Sequence, residues 1–142
     1  MTSTQITSNK SIRIFNPKGN LNKLMDVHSS SYSKFGEIYL TKIKYNKVKG
    51  WKKHKKINSN IFLISGSVVF IIVKKIKNKF IFHEYFLSVS KNNHIYIPKN
   101  NFFAFQGLSK NPAILLNLAS LPHDKNETLE KKISYFNYKW KI

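Results

Sequence analysis

The chain has 142 residues, of which 42% are hydrophobic and 14% aromatic, and this is enough apolar material for one folded core. Without cysteine it can form no disulfide framework, zinc knuckle or thiol nucleophile, and no apolar run reaches the ~20 residues of a membrane span. We therefore expect one soluble domain over residues 1–142, located in the cytoplasm, with a polar, flexible leader over residues 1–11.

The net charge of +19 would ordinarily indicate a nucleic acid or an anionic membrane as partner. Arginine, however, is the side chain that grips phosphates and base edges with a fork of donors, and Arg13 is the only arginine among the 25 basic residues. The abundance of lysine, asparagine and isoleucine instead fits the codon usage of an AT-rich genome. We therefore expect neither a nucleic acid nor a membrane as partner, and a small anionic ligand fits the charge at least as well.

Short apolar runs separated by turn residues predict strands along most of the chain. The predicted strands are 12–15, 38–45, 49–54, 61–64, 68–73, 80–89, 94–97, 102–105 and 113–119. Ser65-Gly66 resembles a hairpin turn between two of them, and 127–132 is the only plausible helical piece, a short helical tail. Short strands without alternating helices indicate an all-β fold, best fitted by a double-sheet jelly roll.

The segment 49–54, which reads Lys-Gly-Trp-Lys-Lys-His, contains the candidate site. Alternate residues of a strand share a face, so Lys52 and His54 point into the barrel together if Trp51 and Lys53 face outward. Placing an ammonium and an imidazole inside is costly unless the interior is wet or holds a ligand. A register shifted by one residue would instead leave Lys52 on a solvated face, and His54 could be a structural histidine.

Further short motifs follow one another in order along the chain. They are Gly36-Glu37-Ile38-Tyr39, Lys49-Gly50-Trp51, Ser65-Gly66, Ile97-Pro98, Phe105-Gln106-Gly107-Leu108, Pro122-His123-Asp124 and Tyr138-Lys139-Trp140. Their layout resembles the cupin superfamily and, more narrowly, the dTDP-4-dehydrorhamnose 3,5-epimerase family. The resemblance implies a double-stranded β-helix (cupin jelly roll), usually a homodimer, that binds a nucleotide-diphosphate sugar. It also implies epimerisation of a dTDP-4-keto-6-deoxyhexose at carbons 3 and 5, in deoxysugar and surface polysaccharide biosynthesis.

This chemistry requires a base that removes the proton next to the ketone and an acid that returns it on the other face of the ring. The family's base is a histidine, and the matching position of this sequence is Lys52. Lys52 could act as the base if its surroundings favoured the neutral amine. Alternatively His54 could take the proton, because an imidazole needs little tuning to do so near neutral pH.

The resemblance also suggests substrate-binding residues. We expect Lys49 near the diphosphate, and Trp51 or Phe103 stacked on the sugar or the base. Tyr85 or Tyr96 could project into the barrel and donate a proton. The family's acid tyrosine falls on Leu121-Pro122, and the carboxylate partner of its base has no counterpart in this sequence.

A metal ion and any other cofactor are not expected. The second-motif histidine of cupins falls on Phe103, and His54 alone cannot supply three or four ligands. Two other functions stay open. One is a non-catalytic sugar-binding cupin, and the other is a 3,4-ketoisomerase on the same barrel.

Overall fold

The computed structural model describes residues 4–141, which form antiparallel strands and a single turn of 3₁₀ helix at Ile133–Tyr135. The strands are β1 (Thr7–Asn9), β2 (Ile12–Ile14), β3 (Leu21–Lys23), β4 (Glu37–Ile43), β5 (Val48–His54), β6 (Ser59–Ser65), β7 (Ser67–Ile76), β8 (Lys79–Ser88), β9 (His94–Ile97), β10 (Phe102–Gly107), β11 (Ala113–Ala119) and β12 (Thr128–Glu130).

The strands build two five-stranded sheets and a small ribbon. The first sheet has the order β1-β9-β6-β11-β4 and the second the order β12-β5-β10-β7-β8, while β2 pairs with β3. Along the chain from β4 to β7, successive strands alternate between the two sheets, and β9 to β12 do the same. This arrangement confirms the predicted all-β fold, the double-stranded β-helix of cupins.

The predicted hairpin at Ser65-Gly66 is wrong. β6 pairs with β9 and β11, whereas β7 pairs with β8 and β10, so this turn carries the chain from one sheet to the other. Gly66 has a φ of +85°, and a Cβ there would lie 2.6 Å from Ser109 Oγ. Glycine is therefore required at this turn for its conformation and its close packing, although no hairpin forms.

The predicted helical tail over 127–132 is also wrong. Thr128–Glu130 forms β12, which pairs with the edge of β5, and the short 3₁₀ turn follows it. A helix of so few residues has little stability of its own, whereas pairing with β5 satisfies the backbone groups of both strands. In the described part of the chain, this three-residue turn is the only helix, and it is far too short to cross a membrane.

The predicted flexible leader contains a strand. Thr7–Asn9 pairs with β9 and adds an edge strand to the first sheet. Ile6, just before it, is buried in the main core. Residues 1–3 of the predicted leader lie outside the described residues.

Alternation along β7 divides the apolar residues into two clusters. Phe70 and Ile72 point between the sheets, into the main core, while Val69 and Ile71 point to the outer face of the second sheet. On that outer face the chain's last segment packs over the sheet, with Phe136 buried against it. β7 reads as a continuous apolar run because both of its faces are covered.

β5 carries one more residue than its neighbour β10. The register between the two strands shifts at Trp51, which has no partner on β10. A bulge of this kind interrupts the alternation of side chains. Lys49 and Lys52, three residues apart, consequently both line the space between the sheets, together with His54.

Gly50, next to this bulge, provides a test of the close packing between β5 and β10. Its φ is +130° and a Cβ there would lie 2.5 Å from the Cβ of Ala104, whereas Gly19, with a φ of +133°, would meet nothing within 4 Å. We expect Gly50→Ala to lower the free energy of unfolding by about 1–3 kcal/mol more than Gly19→Ala, because only the former adds overpacking to the strain. Chemical denaturation of both variants measures the difference. Equal losses would show that φ alone requires glycine at position 50.

Candidate active site

A cavity of about 430 Å³ opens between the two sheets, a volume typical of small-molecule sites. β5, β7 and β10 form one wall, and β4, β6 and β11 form the facing wall. The apolar lining consists mainly of Ile61, Phe70, Phe103, Phe105 and Leu115. The polar residues are Lys49, Lys52 and His54 on the first wall and Tyr39, Thr41 and Asn117 on the facing wall, and Glu130 of β12 and the adjacent Lys131 complete the lining.

A second cavity, of about 290 Å³, adjoins the first. The two share Tyr39, Lys52 and His54 in their linings. These three residues therefore border both spaces rather than one alone.

His54 is hydrogen-bonded to a buried carboxylate. Its Nδ1 donates to Glu127 Oε1 over 2.5 Å, and Glu127 is only 4% exposed. The carboxylate also accepts hydrogen bonds from the Thr128 hydroxyl at 2.7 Å and from the backbone amides of Lys55 and Lys56 at 3.2 Å. Because Nδ1 is held by the carboxylate, Nε2 is the ring nitrogen that can exchange a proton with a ligand.

Glu127 is ionised at neutral pH in spite of its burial. Burial alone would raise the pKa of its carboxyl, but hydrogen bonds from His54, Thr128 and the Lys56 amide outweigh that effect and lower the pKa to about 2. An ionised carboxylate in this position fixes the imidazole ring and stabilises the positive charge that forms when the ring takes a proton. His54 and Glu127 thus have the geometry of a base and its orienting partner.

Two ammonium groups share the wall with His54. Lys52 lies two residues before it on the same face of β5, and Lys49 reaches across the space between the sheets, where its Nζ donates to the Lys42 carbonyl oxygen on β4 at 2.7 Å. The register that would have left Lys52 on a solvated outer face is therefore not the one adopted. Ammonium groups in this position can stabilise an enolate or a phosphate oxygen.

Tyr39 faces the same cavity from β4 in the opposite sheet. Burial raises the pKa of its phenol, the charge of Glu37 acts in the same direction, and a hydrogen bond with Asn117 opposes them. The phenol therefore remains protonated at neutral pH and can donate a proton. Alternation along β4 places Tyr39 on the inward face together with Thr41.

A family model described as FdtA: WxcM-like, C-terminal matches residues 5–140. The chain belongs to this WxcM-like family. Comparison with curated proteins finds no match. The sequence-based resemblance to nucleotide-sugar cupins is confirmed, since the solved structures described next are dTDP-sugar isomerases and epimerases of the same fold.

Three solved structures illustrate the similarity of fold. A dTDP sugar isomerase from Desulfovibrio desulfuricans G20 is 20% identical, with a TM-score of 0.86 over 95% of this chain and 90% of that one. A sugar 3,4-ketoisomerase from Thermoanaerobacterium thermosaccharolyticum, in complex with TDP, is 19% identical, with a TM-score of 0.68 over 87% and 86%. A dTDP-4-dehydrorhamnose 3,5-epimerase from Sulfolobus tokodaii is 12% identical, with a TM-score of 0.76 over 89% and 76%.

The three aromatic residues expected to bind substrate lie in different places in this WxcM-like chain. Phe103 lines the cavity, with its ring stacked 6.1 Å from that of His54. Trp51 borders the cavity, but its ring packs against Phe136 on the outer face of β5 and is 1% exposed, so its expected stacking on a ligand is corrected. Tyr85 packs against the main core between the sheets, but it is absent from the cavity lining among the described residues, and its role as a proton donor stays a prediction.

The carboxylate partner of His54 is the residue that sequence analysis missed. Glu127 lies 73 residues away along the chain, in the segment predicted to be helical. The family's own carboxylate position has no match in this sequence, and Glu127, from a different place in the chain, is the carboxylate that His54 contacts. Within residues 4–141, no three His, Cys, Asp or Glu side chains are grouped so that they could hold a metal ion.

Proposed function

We propose that this WxcM-like protein isomerises a nucleotide-linked 4-keto-6-deoxy sugar by moving a proton from a carbon next to the ketone. The observation that carries the proposal is the His54–Glu127 pair, whose histidine lines the cavity between the sheets. A base must come within about 2.6–3.2 Å of the atom that loses its proton. Nε2 of His54 is that base, and Lys52 beside it stabilises the negative charge of the enolate.

The first form of this activity is 3,5-epimerisation of a dTDP-4-keto-6-deoxyhexose. Epimerisation requires a proton to leave one face of the sugar ring and another to arrive on the opposite face. His54 and the protonated phenol of Tyr39 stand on facing walls of the cavity. A ring bound between the sheets would have the base on one side and the acid on the other. The product would serve deoxysugar and surface polysaccharide biosynthesis in the cytoplasm.

The second candidate is 3,4-ketoisomerisation, in which the ketone moves from carbon 4 to carbon 3. The share of each solved relative that this chain covers favours this reaction. The chain covers 90% of the dTDP sugar isomerase and 86% of the 3,4-ketoisomerase, but 76% of the 3,5-epimerase. In this reaction His54 would remove the proton at carbon 3 and carbon 4 would receive one, while the hydroxyl proton would pass from the oxygen on carbon 3 to the oxygen on carbon 4.

The remaining groups of the site fit a nucleotide-diphosphate sugar as partner. Lys49 supplies positive charge for the diphosphate, and Phe103, next to His54, offers a ring face to the sugar or the base. The adjoining cavity gives the nucleotide room beyond Tyr39. Proton transfer between side chains and sugar requires no cofactor.

Incubation with dTDP-4-keto-6-deoxyglucose in D₂O, followed by NMR, tests the proposal. Deuterium at carbons 3 and 5 with the ketone at carbon 4 would establish 3,5-epimerisation. A ketone at carbon 3 would establish 3,4-ketoisomerisation. Binding without exchange or rearrangement would leave a non-catalytic sugar-binding cupin, and the absence of both binding and exchange would refute the proposal.

We also propose that the protein is a homodimer formed through β4. This strand is an edge of the first sheet, and its Ile38 and Leu40 are 52% and 65% exposed. Ile38 and Leu40 form an exposed apolar patch of the kind that a second copy of a chain covers. We expect wild type to sediment as a dimer and Leu40→Lys as a monomer. Phe86→Lys, at an exposed position of β8, is the control and should stay dimeric, whereas a monomeric wild type would contradict the proposal.

A further inference from the structure

The side-chain amide of Asn117 is buried in the cavity wall with one hydrogen-bonding atom unused. Asn117 is 8% exposed and occupies an inward position of β11, between Leu115 and Ala119. Its Oδ1 has no hydrogen-bond partner among residues 4–141. A buried oxygen left unpaired destabilises a fold, and the neighbouring inward positions of β11 are apolar. Asparagine at this position therefore does not serve the packing of the core.

The other half of the amide is engaged with Tyr39. The two residues are direct partners in the antiparallel pairing of β4 with β11, so their side chains lie side by side on the same face. Asn117 acts on the Tyr39 phenol as a hydrogen-bond donor, because its hydrogen bond lowers the pKa of that group, and the donor of an amide is its Nδ2. The phenol hydrogen is then free to point into the cavity. This part of the wall thus presents one donor, the Tyr39 hydroxyl, beside one acceptor, Asn117 Oδ1.

We propose that Asn117 determines which sugars the site accepts, because its Oδ1 accepts a hydrogen bond from a ring hydroxyl of the bound sugar. This inference rests on the proposed function and names a feature of its substrate. This donor and this acceptor together match two oxygens on neighbouring carbons of the sugar. At least one of the two oxygens belongs to a hydroxyl. A sugar that lacks this hydroxyl leaves Oδ1 unpaired in the complex, and sites that hydrogen-bond a substrate hydroxyl discriminate strongly against such analogues.

Binding of sugar nucleotides without a ketone tests the inference in the absence of turnover. The ligands are dTDP-glucose and its 2-deoxy and 3-deoxy analogues, measured by titration calorimetry. We expect wild type to bind one of the deoxy analogues about tenfold more weakly than dTDP-glucose. Asn117→Val should bind dTDP-glucose as weakly as wild type binds that analogue. It should no longer distinguish the two ligands. Thr41→Val is the matched control: it removes a hydroxyl from the same wall and should keep the discrimination between the ligands.

Thermal unfolding without ligand gives a second, independent readout. Asn117→Val removes the unpaired oxygen, so we expect its Tm to equal or exceed that of wild type. A lower Tm would indicate a structural role and overturn the inference, as would equal affinities of wild type for the three ligands or unchanged discrimination in Asn117→Val. If wild type binds none of the ligands, the proposed function fails with the inference. If it binds all three equally, only the inference fails.

Discussion

Replacing His54 with asparagine is expected to lower the rate of deuterium exchange into the sugar by about 10²–10⁴-fold, with little change in the affinity for dTDP. The reason is that Nε2 of His54 is the ring nitrogen available for the proton while Glu127 holds Nδ1. Asparagine is polar and smaller than histidine but cannot accept a proton at neutral pH. NMR exchange rates and titration with dTDP measure the two quantities.

His83→Asn serves as the matched control, because His83 is an exposed histidine on β8 that does not line the cavity. It should exchange at the wild-type rate. The same measurement on Lys52→Gln separates the two candidate bases. If exchange survives in His54→Asn and disappears in Lys52→Gln, Lys52 is the base and the assignment of His54 is refuted.

Acidification is expected to remove about 3 kcal/mol of folding stability through Glu127. The pKa of this carboxyl is about 2 in the folded protein, against an ordinary value of 4.5, and each pKa unit corresponds to about 1.4 kcal/mol. Because the folded pKa is the lower one, the stabilisation is complete above about pH 4.5 and disappears as the pH falls to about 2. Urea denaturation at pH values between about 5 and 2 measures it.

Glu127→Gln should show a shallower loss of stability over the same pH range, since it has no carboxylate to protonate. The control is Glu130→Gln, which changes an exposed carboxylate of the same strand and should follow the wild-type curve. A Glu127→Gln curve parallel to wild type would show that the buried carboxylate is not the group that couples folding to pH. At neutral pH this variant should also lose exchange activity, because His54 loses its ionic partner.

The strands could be predicted because their local pattern and their final environment agree. β9 and β11 begin and end where the sequence predicts, since β-branched and aliphatic residues there alternate or run between clear turn signals. The prediction of a helix over 127–132 was wrong because the charged residues and Leu129 of this segment suit a short helix, while pairing with β5 decides its structure. No local pattern reports a partner strand so distant in the chain.

Only the part of the candidate site that depends on local alternation could be predicted. Period-two alternation is sufficient to bring Lys52 and His54 to one face. It cannot reveal Glu127, which reaches His54 only through the β5–β12 pairing, nor the inward position of Lys49, which depends on the irregular register at Trp51. An irregularity of one residue leaves no trace in composition or hydropathy.

The irregular register of β5 determines how much positive charge its side chains bring to the cavity. With Trp51 paired regularly to Ala104, Gly50 would lie opposite Phe105 and the Lys49 side chain would turn to the outer face of the sheet, with Lys52 and His54 left inside. The strand would then contribute one lysine to the chamber instead of two. A lysine that lies an odd number of residues before the histidine of such a motif therefore reaches the chamber only through a bulge, and the bulge strengthens the attraction for a diphosphate.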